Sequence, residues 1–136
     1  MKALEITATD LSPVINFNPE KGKFQIHGNS LPENARSFYL PVIEWLDKYA
    51  ESPNPATEIE FKMVLLNTSS TKMFIDVFRK INKLSELGNT EVNIVWYYIY
   101  EDEDIYDVGM EFKEFCKAPF KLVVTNDGGE AYYKKS

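Results

Sequence analysis

Three helical stripes of apolar residues alternate with runs of strand-forming residues over most of this chain. A helix between successive strands favours a parallel sheet joined by right-handed crossovers. An N-terminal hairpin pattern precedes these units and adds antiparallel strands. We therefore predict an α/β fold, with a mixed β-sheet, an N-terminal hairpin and about three α-helices packed on the sheet.

The first part of the chain predicts a short strand and then a hairpin. Residues 4–9 form the strand pattern, and residues 14–17 and 24–27 form the two hairpin arms. Pro19 and Gly22 between the arms suit a tight turn, because proline presets φ and glycine accepts positive φ.

The next segment predicts a helix over residues 31–50. Ser30 and Glu33 have the spacing of a capping box, and apolar residues follow at helical intervals. Pro41 lies inside this pattern, removes one helical N–H and crowds the carbonyl of Ser37. We expect a kink of more than about 20° or a break in the helix at this point.

Two long strands are predicted in the second half of the chain, over residues 58–66 and 90–100. The second half of the first strand is continuously apolar, so we expect both of its faces to be covered. We predict that residues 59–66 and 92–99 lie adjacent and parallel at the centre of the sheet. Two further helices are predicted around residues 72–87 and 105–115, with a last strand over residues 120–125.

A run of hydroxyl residues separates the first of these strands from the helix after it. The sequence is Asn67-Thr68-Ser69-Ser70-Thr71-Lys72. We predict that Thr68 or Ser69 is the N-cap of the helix. The free N–H groups and the dipole of a helix start favour negative charge, so the fold would tolerate a phosphate there. The alternative is an ordinary cap with no further role.

Composition narrows the class of protein. The formal net charge of −6 argues against nucleic-acid and anionic-membrane partners, which require a basic surface. The single cysteine excludes an internal disulfide. We find no signal peptide or membrane-spanning run and expect a cytoplasmic protein. Residues 1–126 are predicted to form one domain, and residues 127–136 a polar, partly disordered tail.

The candidate catalytic groups are sparse. His27 is the only histidine and has no nucleophile or carboxylate beside it in sequence, and Cys116 borders an apolar stripe. The acidic residues 101–107 could bind Mg²⁺ or Ca²⁺ but lack the glycine-containing spacing of a calcium loop. We expect no enzyme activity, no cofactor and no metal. A metal-dependent enzyme that uses this acidic cluster remains a less favoured alternative.

Several motifs together resemble the SiaC family of bacterial regulatory phosphoproteins, from about Leu4 to Val124. One group comprises Ser12-Pro13, the Gly-Asn-Ser-x-Pro-Glu-Asn segment of residues 28–34, Phe38-Tyr39, Pro41 and Trp45-Leu46. A second comprises Asn67-Thr68-Ser69-Ser70, Trp96-Tyr97-Tyr98, the acidic run after it and Gly109. The family is similar in fold to STAS domains, the anti-sigma-factor antagonists, so the resemblance implies a STAS-like domain.

The resemblance also implies a phosphorylation site. The threonine after the asparagine is the acceptor in the SiaC family, which corresponds to Thr68 here. The register of STAS domains points instead to Ser69 as the alternative. Ser70 stands where many STAS domains have glycine.

The implied role is that of a partner switch. A protein kinase phosphorylates Thr68, a PP2C-type phosphatase removes the phosphate, and the unphosphorylated form binds a diguanylate cyclase and promotes cyclic-di-GMP synthesis in biofilm regulation. The residues expected at the partner surface are Asn67, Thr68, Ser69, Ser70, Lys72, Asp102 and Asp104. The leading alternative is a binding or assembly module of the same fold that is never phosphorylated.

Overall fold

The computed structural model describes residues 1–125. Its strands are β1 (Leu4–Ile6), β2 (Val14–Asn18), β3 (Lys23–Ser30), β4 (Ala56–Leu66), β5 (Glu91–Tyr98) and β6 (Phe120–Val124). Its helices are α1 (Ala35–Tyr49), α2 (Thr68–Leu87) and α3 (Glu103–Phe115). The prediction for the tail of residues 127–136 lies outside the described residues.

The strands form a six-stranded sheet in the order β1-β2-β3-β4-β5-β6. β1, β2 and β3 pair antiparallel, whereas β3 to β6 pair parallel. The mixed sheet and the N-terminal hairpin are therefore confirmed. β4 and β5 are adjacent and parallel as predicted, with Ile59 opposite Ile94 and Phe61 opposite Trp96.

One face of the sheet packs against the helices and forms the core. Alternate residues of the strands bury their side chains on this face, together with the apolar stripes of α1, α2 and α3. Aromatic rings fill its centre: the Phe61 and Phe78 ring centroids are 4.9 Å apart, and those of Phe78 and Phe112 are 4.7 Å apart. Offset and tilted aromatic pairs of this kind add about 0.5–1.5 kcal/mol each beyond burial of their area.

The opposite face carries polar side chains, so the prediction that both faces of the second half of β4 are covered is wrong. Gln25 donates a 2.8 Å hydrogen bond to Glu60 on this face, and Lys62 lies over the Tyr97 ring. At the end of β4, Leu65 is 52% exposed. The parallel strands β3 to β6 lie side by side in their sequence order. Right-handed crossovers between them place all three helices on the same side of the sheet, so the other face stays uncovered.

The predicted start of the first helix is also wrong. α1 begins at Ala35, and the side chain of Asn34 caps it by accepting a 3.1 Å hydrogen bond from the Ser37 N–H. Ser30 instead ends β3, where it is fully buried. The Ser30 hydroxyl cannot cap the helix because it is hydrogen-bonded within the core, to Tyr39 and Ser70.

Pro41 does not break α1. The helix continues from Ala35 to Tyr49, and Pro41 lies on its exposed face. The Ser37 carbonyl that loses its helical partner belongs to an exposed residue, so water can satisfy it. The predicted break is therefore wrong, and a kink of more than about 20° remains a prediction.

β1 and β5 are each three residues shorter than predicted, and β6 is one residue shorter. β1 ends at Ile6, because the chain then turns and the Thr9 N–H donates to the Ser12 carbonyl at 2.9 Å. β5 ends at Tyr98, and α2 begins four residues before the predicted Lys72. The predicted helix end at residue 87 is confirmed, since Leu87 is the last residue of α2 and Gly88 after it adopts a left-handed conformation with φ of 75°.

α3 packs on the sheet through Gly109, which lies directly against the Trp96 indole. A methyl group added at Gly109 would be 2.5 Å from Trp96 Cδ1 and 2.6 Å from Nε1. The indole cannot move away easily, because it is fully buried and Nε1 donates a 3.0 Å hydrogen bond to the Ile105 carbonyl.

We expect Gly109→Ala to destabilise the protein by about 1–3 kcal/mol, because overpacking forces the helix off the sheet. Chemical denaturation monitored by Trp fluorescence measures the change. Glu111→Ala, at an exposed position of the same helix, should change stability by less than about 0.5 kcal/mol. Equal stability of wild type and Gly109→Ala would contradict the close packing of α3.

Candidate functional site

The strand–helix junction between β4 and α2 is held by Asn67, which is the N-cap of α2. Its Oδ1 accepts hydrogen bonds from the Ser70 N–H at 2.8 Å and the Ser69 hydroxyl at 3.2 Å. The prediction that Thr68 or Ser69 is the cap is therefore wrong by one or two residues. Asparagine is among the strongest caps, and it leaves Thr68 as the first helical residue.

Asn67 also joins the junction to the loop before α1. Its N–H donates to the Ser30 carbonyl at 3.0 Å, and its side-chain amide donates to the Pro32 carbonyl at 3.4 Å. The Thr71 N–H donates to the Asn67 carbonyl at 3.1 Å and continues the helix. The junction is thus fixed to two neighbouring elements and does not depend on its own turn alone.

Ser70 forms the buried support of the junction. It is fully buried, donates to the Ser30 carbonyl at 3.0 Å and accepts from the Ser30 hydroxyl at 2.7 Å. The Ser30 hydroxyl also pairs with the Tyr39 hydroxyl at 2.5 Å, and burial raises the Tyr39 pKa. A glycine in place of Ser70 would lose these contacts among β3, α1 and α2.

The hydroxyls at the junction differ in their availability. Ser69 donates to Asn67, Ser70 is buried, and the Thr71 hydroxyl donates to the Thr68 carbonyl at 2.7 Å. Thr68 is exposed, and within residues 1–125 its hydroxyl makes no hydrogen bond. Thr68 is therefore the junction hydroxyl that a partner enzyme can reach without breaking an existing contact.

The start of α3 lies beside the junction at the same edge of the sheet. A hollow of about 160 Å³ is lined by residues from β4, α2 and α3, among them Leu65, Thr71, Asp102 and Asp104. Asp102 caps α3 by accepting a 3.0 Å hydrogen bond from the Ile105 N–H. The structure thus brings the predicted acidic residues next to the predicted hydroxyl junction.

The remaining predicted surface residue, Lys72, is exposed on α2. Two exposed apolar side chains at the strand ends were not predicted as site residues: Leu65 is 52% exposed and Tyr100 is 72% exposed. The exposure of these two residues could not be predicted, because each belongs to an apolar run of the kind that is typical of buried strands. The Ser30–Tyr39 contact had no sequence signal at all.

Among residues 1–125, no group of three or more His, Cys, Asp or Glu side chains is arranged to hold a metal ion. Over the same residues, no helix is both long enough and apolar enough to cross a bilayer.

His27 and Cys116 lie apart from the junction, and both are poorly suited to catalysis. Burial, and then the charge of Lys62, lower the His27 pKa to about 4. His27 lies on the helix-free face, with Nε2 3.9 Å from Glu60. Burial raises the Cys116 pKa to about 12, so its thiol is not an active nucleophile near neutral pH.

The depressed His27 pKa predicts a pH dependence of stability. Between pH 6.5, the pKa expected for the unfolded chain, and about pH 4, the unfolded state binds a proton that the folded state excludes. Stability should therefore fall by about 1–3 kcal/mol as pH drops through this range, and His27→Gln should remove that part of the loss. Denaturation midpoints measured from pH 7 to pH 4 test this.

The control for this prediction is Asn93→Ala, a substitution on the same face of the sheet. This variant keeps His27 and should therefore retain the wild-type pH dependence of stability. An identical pH profile for His27→Gln and wild type would show that His27 titrates normally.

The fold and the junction define a small α/β domain with an exposed threonine at a strand–helix boundary. A sequence model of the SiaC family regulatory phosphoproteins matches residues 6–125, and the chain belongs to this family. The predicted family membership is confirmed.

Known proteins agree with this assignment. A Pseudomonas aeruginosa (strain UCBPP-PA14) protein described as uncharacterised is 28% identical over 122 residues, which cover 90% of this chain and 96% of that protein. The crystal structure of apo-SiaC from Pseudomonas aeruginosa superposes with a TM-score of 0.82 at 27% identity, covering 91% of this chain and 100% of that one.

A second solved structure shows SiaC of the same organism in complex with the diguanylate cyclase SiaD, of which SiaC is the activator. That SiaC chain matches with a TM-score of 0.82 and 27% identity, covering 90% of this chain and 99% of that one. The family is therefore one of regulatory partner proteins.

Proposed function

We propose that this chain is a non-catalytic partner switch and that Thr68 is its phosphorylated residue. The observation that carries the proposal is the free, exposed hydroxyl of Thr68 among junction hydroxyls that are buried or hydrogen-bonded. Ser69, the alternative acceptor, would have to release Asn67 before it could react.

The position at the start of α2 suits a phosphate. The N–H groups in the first turn of a helix have no intrahelical partners, and Asn67 satisfies only that of Ser70. The positive end of the helix dipole contributes about 0.3–1 kcal/mol at an exposed site. Lys72, four residues further on, adds a weak, screened attraction. The modified chain should therefore remain folded.

The unphosphorylated partner surface comprises the junction and the adjacent strand ends. Exposed Leu65 and Tyr100 supply apolar contact area, and Asp102 and Asp104 supply charge beside them. Ser69 and Lys72 complete the surface, whereas Asn67 and Ser70 act by fixing its shape. The partner that we propose is a diguanylate cyclase, because the SiaC protein of Pseudomonas aeruginosa binds and activates one.

Phosphorylation would disrupt this surface by electrostatics. A phosphate adds about −1.5 to −2 charges to the junction, and Asp102 and Asp104 line the hollow beside the junction with Thr71. Burying such a group under a partner without a basic counterpart costs several kcal/mol. Because each 1.4 kcal/mol is tenfold in affinity, binding would fall by a factor of about a hundred or more.

The switch requires two further enzymes, a protein kinase that phosphorylates Thr68 and a PP2C-type phosphatase that removes the phosphate. The kinase and the diguanylate cyclase both use nucleoside triphosphates, which are cytoplasmic, so the proposal places the chain in the cytoplasm. Its output would be the cyclic-di-GMP level that governs biofilm formation.

Binding titration of a diguanylate cyclase with both forms of the protein tests the proposal. We expect the unmodified protein and Thr68→Ala to bind alike and the phosphorylated protein to bind at least about a hundredfold more weakly. The melting temperature should change little on phosphorylation. Ser69→Ala is the matched control and should still lose binding when it is phosphorylated.

Equal cyclase affinity of the two forms would contradict the switch. A large fall in melting temperature on phosphorylation would instead contradict the proposed mechanism, since loss of binding would then follow from unfolding.

A further inference from the structure

The outer surface of the helix layer carries a basic groove between α1 and α2. Its lining includes Arg36, Leu40, Ile43, Met73, Lys80 and Lys83, and its volume is about 430 Å³. Leu40 is 40% exposed and forms part of an apolar floor. Such a concentration of cations is unexpected in a chain with a net charge of −6.

Neighbouring carboxylates neutralise only some of these cations. Lys80 lies 3.0 Å from Asp47. Arg79 and Asp76 also line the groove and lie 2.8 Å from each other. Arg36 and Lys83 form no ion pair within the described residues. The groove therefore presents an apolar floor with uncompensated positive charge toward both ends.

The outer face of α3 has the complementary character. Glu103, Asp107, Met110 and Glu114 follow one another at helical spacing, opposite the buried residues Ile105, Gly109 and Phe112. Met110 is 38% exposed in the middle of this acidic stripe. An exposed apolar residue flanked by carboxylates matches a groove with an apolar floor flanked by cations.

The lengths of the two surfaces also agree. The stripe from Glu103 to Glu114 and the α2 side of the groove from Met73 to Lys83 each extend about 15 Å, at 1.5 Å per residue. All three helices follow parallel strands and run in one direction, with α2 between α1 and α3. The groove and the stripe of one molecule face the same way and cannot meet each other.

We propose that two copies of this chain pair through their helix layers, with α3 of each copy lying in the α1–α2 groove of the other. A two-fold axis parallel to the helices forms both contacts at once, so the assembly closes as a dimer. The same axis places Glu103 near Arg36 and Glu114 near Lys83 of the opposite copy. The dimer would present two Thr68 junctions in one complex, and it forms independently of whether Thr68 is phosphorylated.

A charge swap tests the dimer by sedimentation velocity. Arg36→Glu with Lys83→Glu reverses the groove, and Glu103→Lys with Glu114→Lys reverses the stripe. We expect wild type to sediment as a dimer at low salt and to dissociate at high salt, because exposed ion pairs are screened. Each reversed variant alone should have a dissociation constant at least about tenfold higher.

Mixing the two reversed variants should restore a one-to-one dimer, because each contact then joins opposite charges again. The matched controls alter net charge equally on other surfaces, through Lys21→Glu with Lys121→Glu and Glu20→Lys with Glu91→Lys, and should dimerise like wild type. The proposal is overturned if wild type is monomeric at all concentrations, if the reversed variants dimerise normally, or if the mixture stays monomeric.

Discussion

The hydrogen-bonded contact of Ser30 with Ser70 connects the parts of the molecule on which the proposed function depends. It joins the end of β3 to the first turn of α2, and Tyr39 extends it to α1. Buried hydroxyls are stable only when all of them are paired, so the network specifies one arrangement of these elements. The cap formed by Asn67 relies on this arrangement, since its N–H also donates to the Ser30 carbonyl.

The topology explains why the proposed site lies at one edge of the sheet. Parallel strands in sequence order place the starts of α1, α2 and α3 at the carboxyl ends of β3, β4 and β5. Ligand sites of α/β proteins generally lie at such strand ends. Here the edge combines the Thr68 hydroxyl, the carboxylates of Asp102 and Asp104 and the exposed side chain of Leu65, a mixture suited to protein recognition.

Much of the fold could be predicted from local periodicity, because strand and helix patterns are properties of neighbouring residues. The parallel pairing of β4 with β5 could be predicted from the alternation of helices with strands along the chain. The start of α1 could not be predicted, because the Ser30 hydroxyl is bound by residues 9 and 40 positions away. The exposure of Leu65 likewise depends on the folded structure, because this residue lies at the end of β4 and borders the hollow beside α2 and α3.

The residues of the proposed site were predicted on a different basis from the fold. The importance of Thr68 came from the family resemblance, and composition alone would have left it as one of several hydroxyls. What distinguishes Thr68 physically is the bonding of its neighbours: Asn67 holds Ser69, the core holds Ser70, and the Thr68 carbonyl holds Thr71. Such contacts are known only once the chain is folded.

Site-resolved mass spectrometry of the protein isolated from its native cells tests the central claim most directly. If the free hydroxyl determines the acceptor, the phosphate will be found on Thr68, and cells producing Thr68→Ala will yield protein with no phosphate at the junction. Phosphate on Ser69 or Thr71, or an unmodified junction under all growth conditions, would contradict the account.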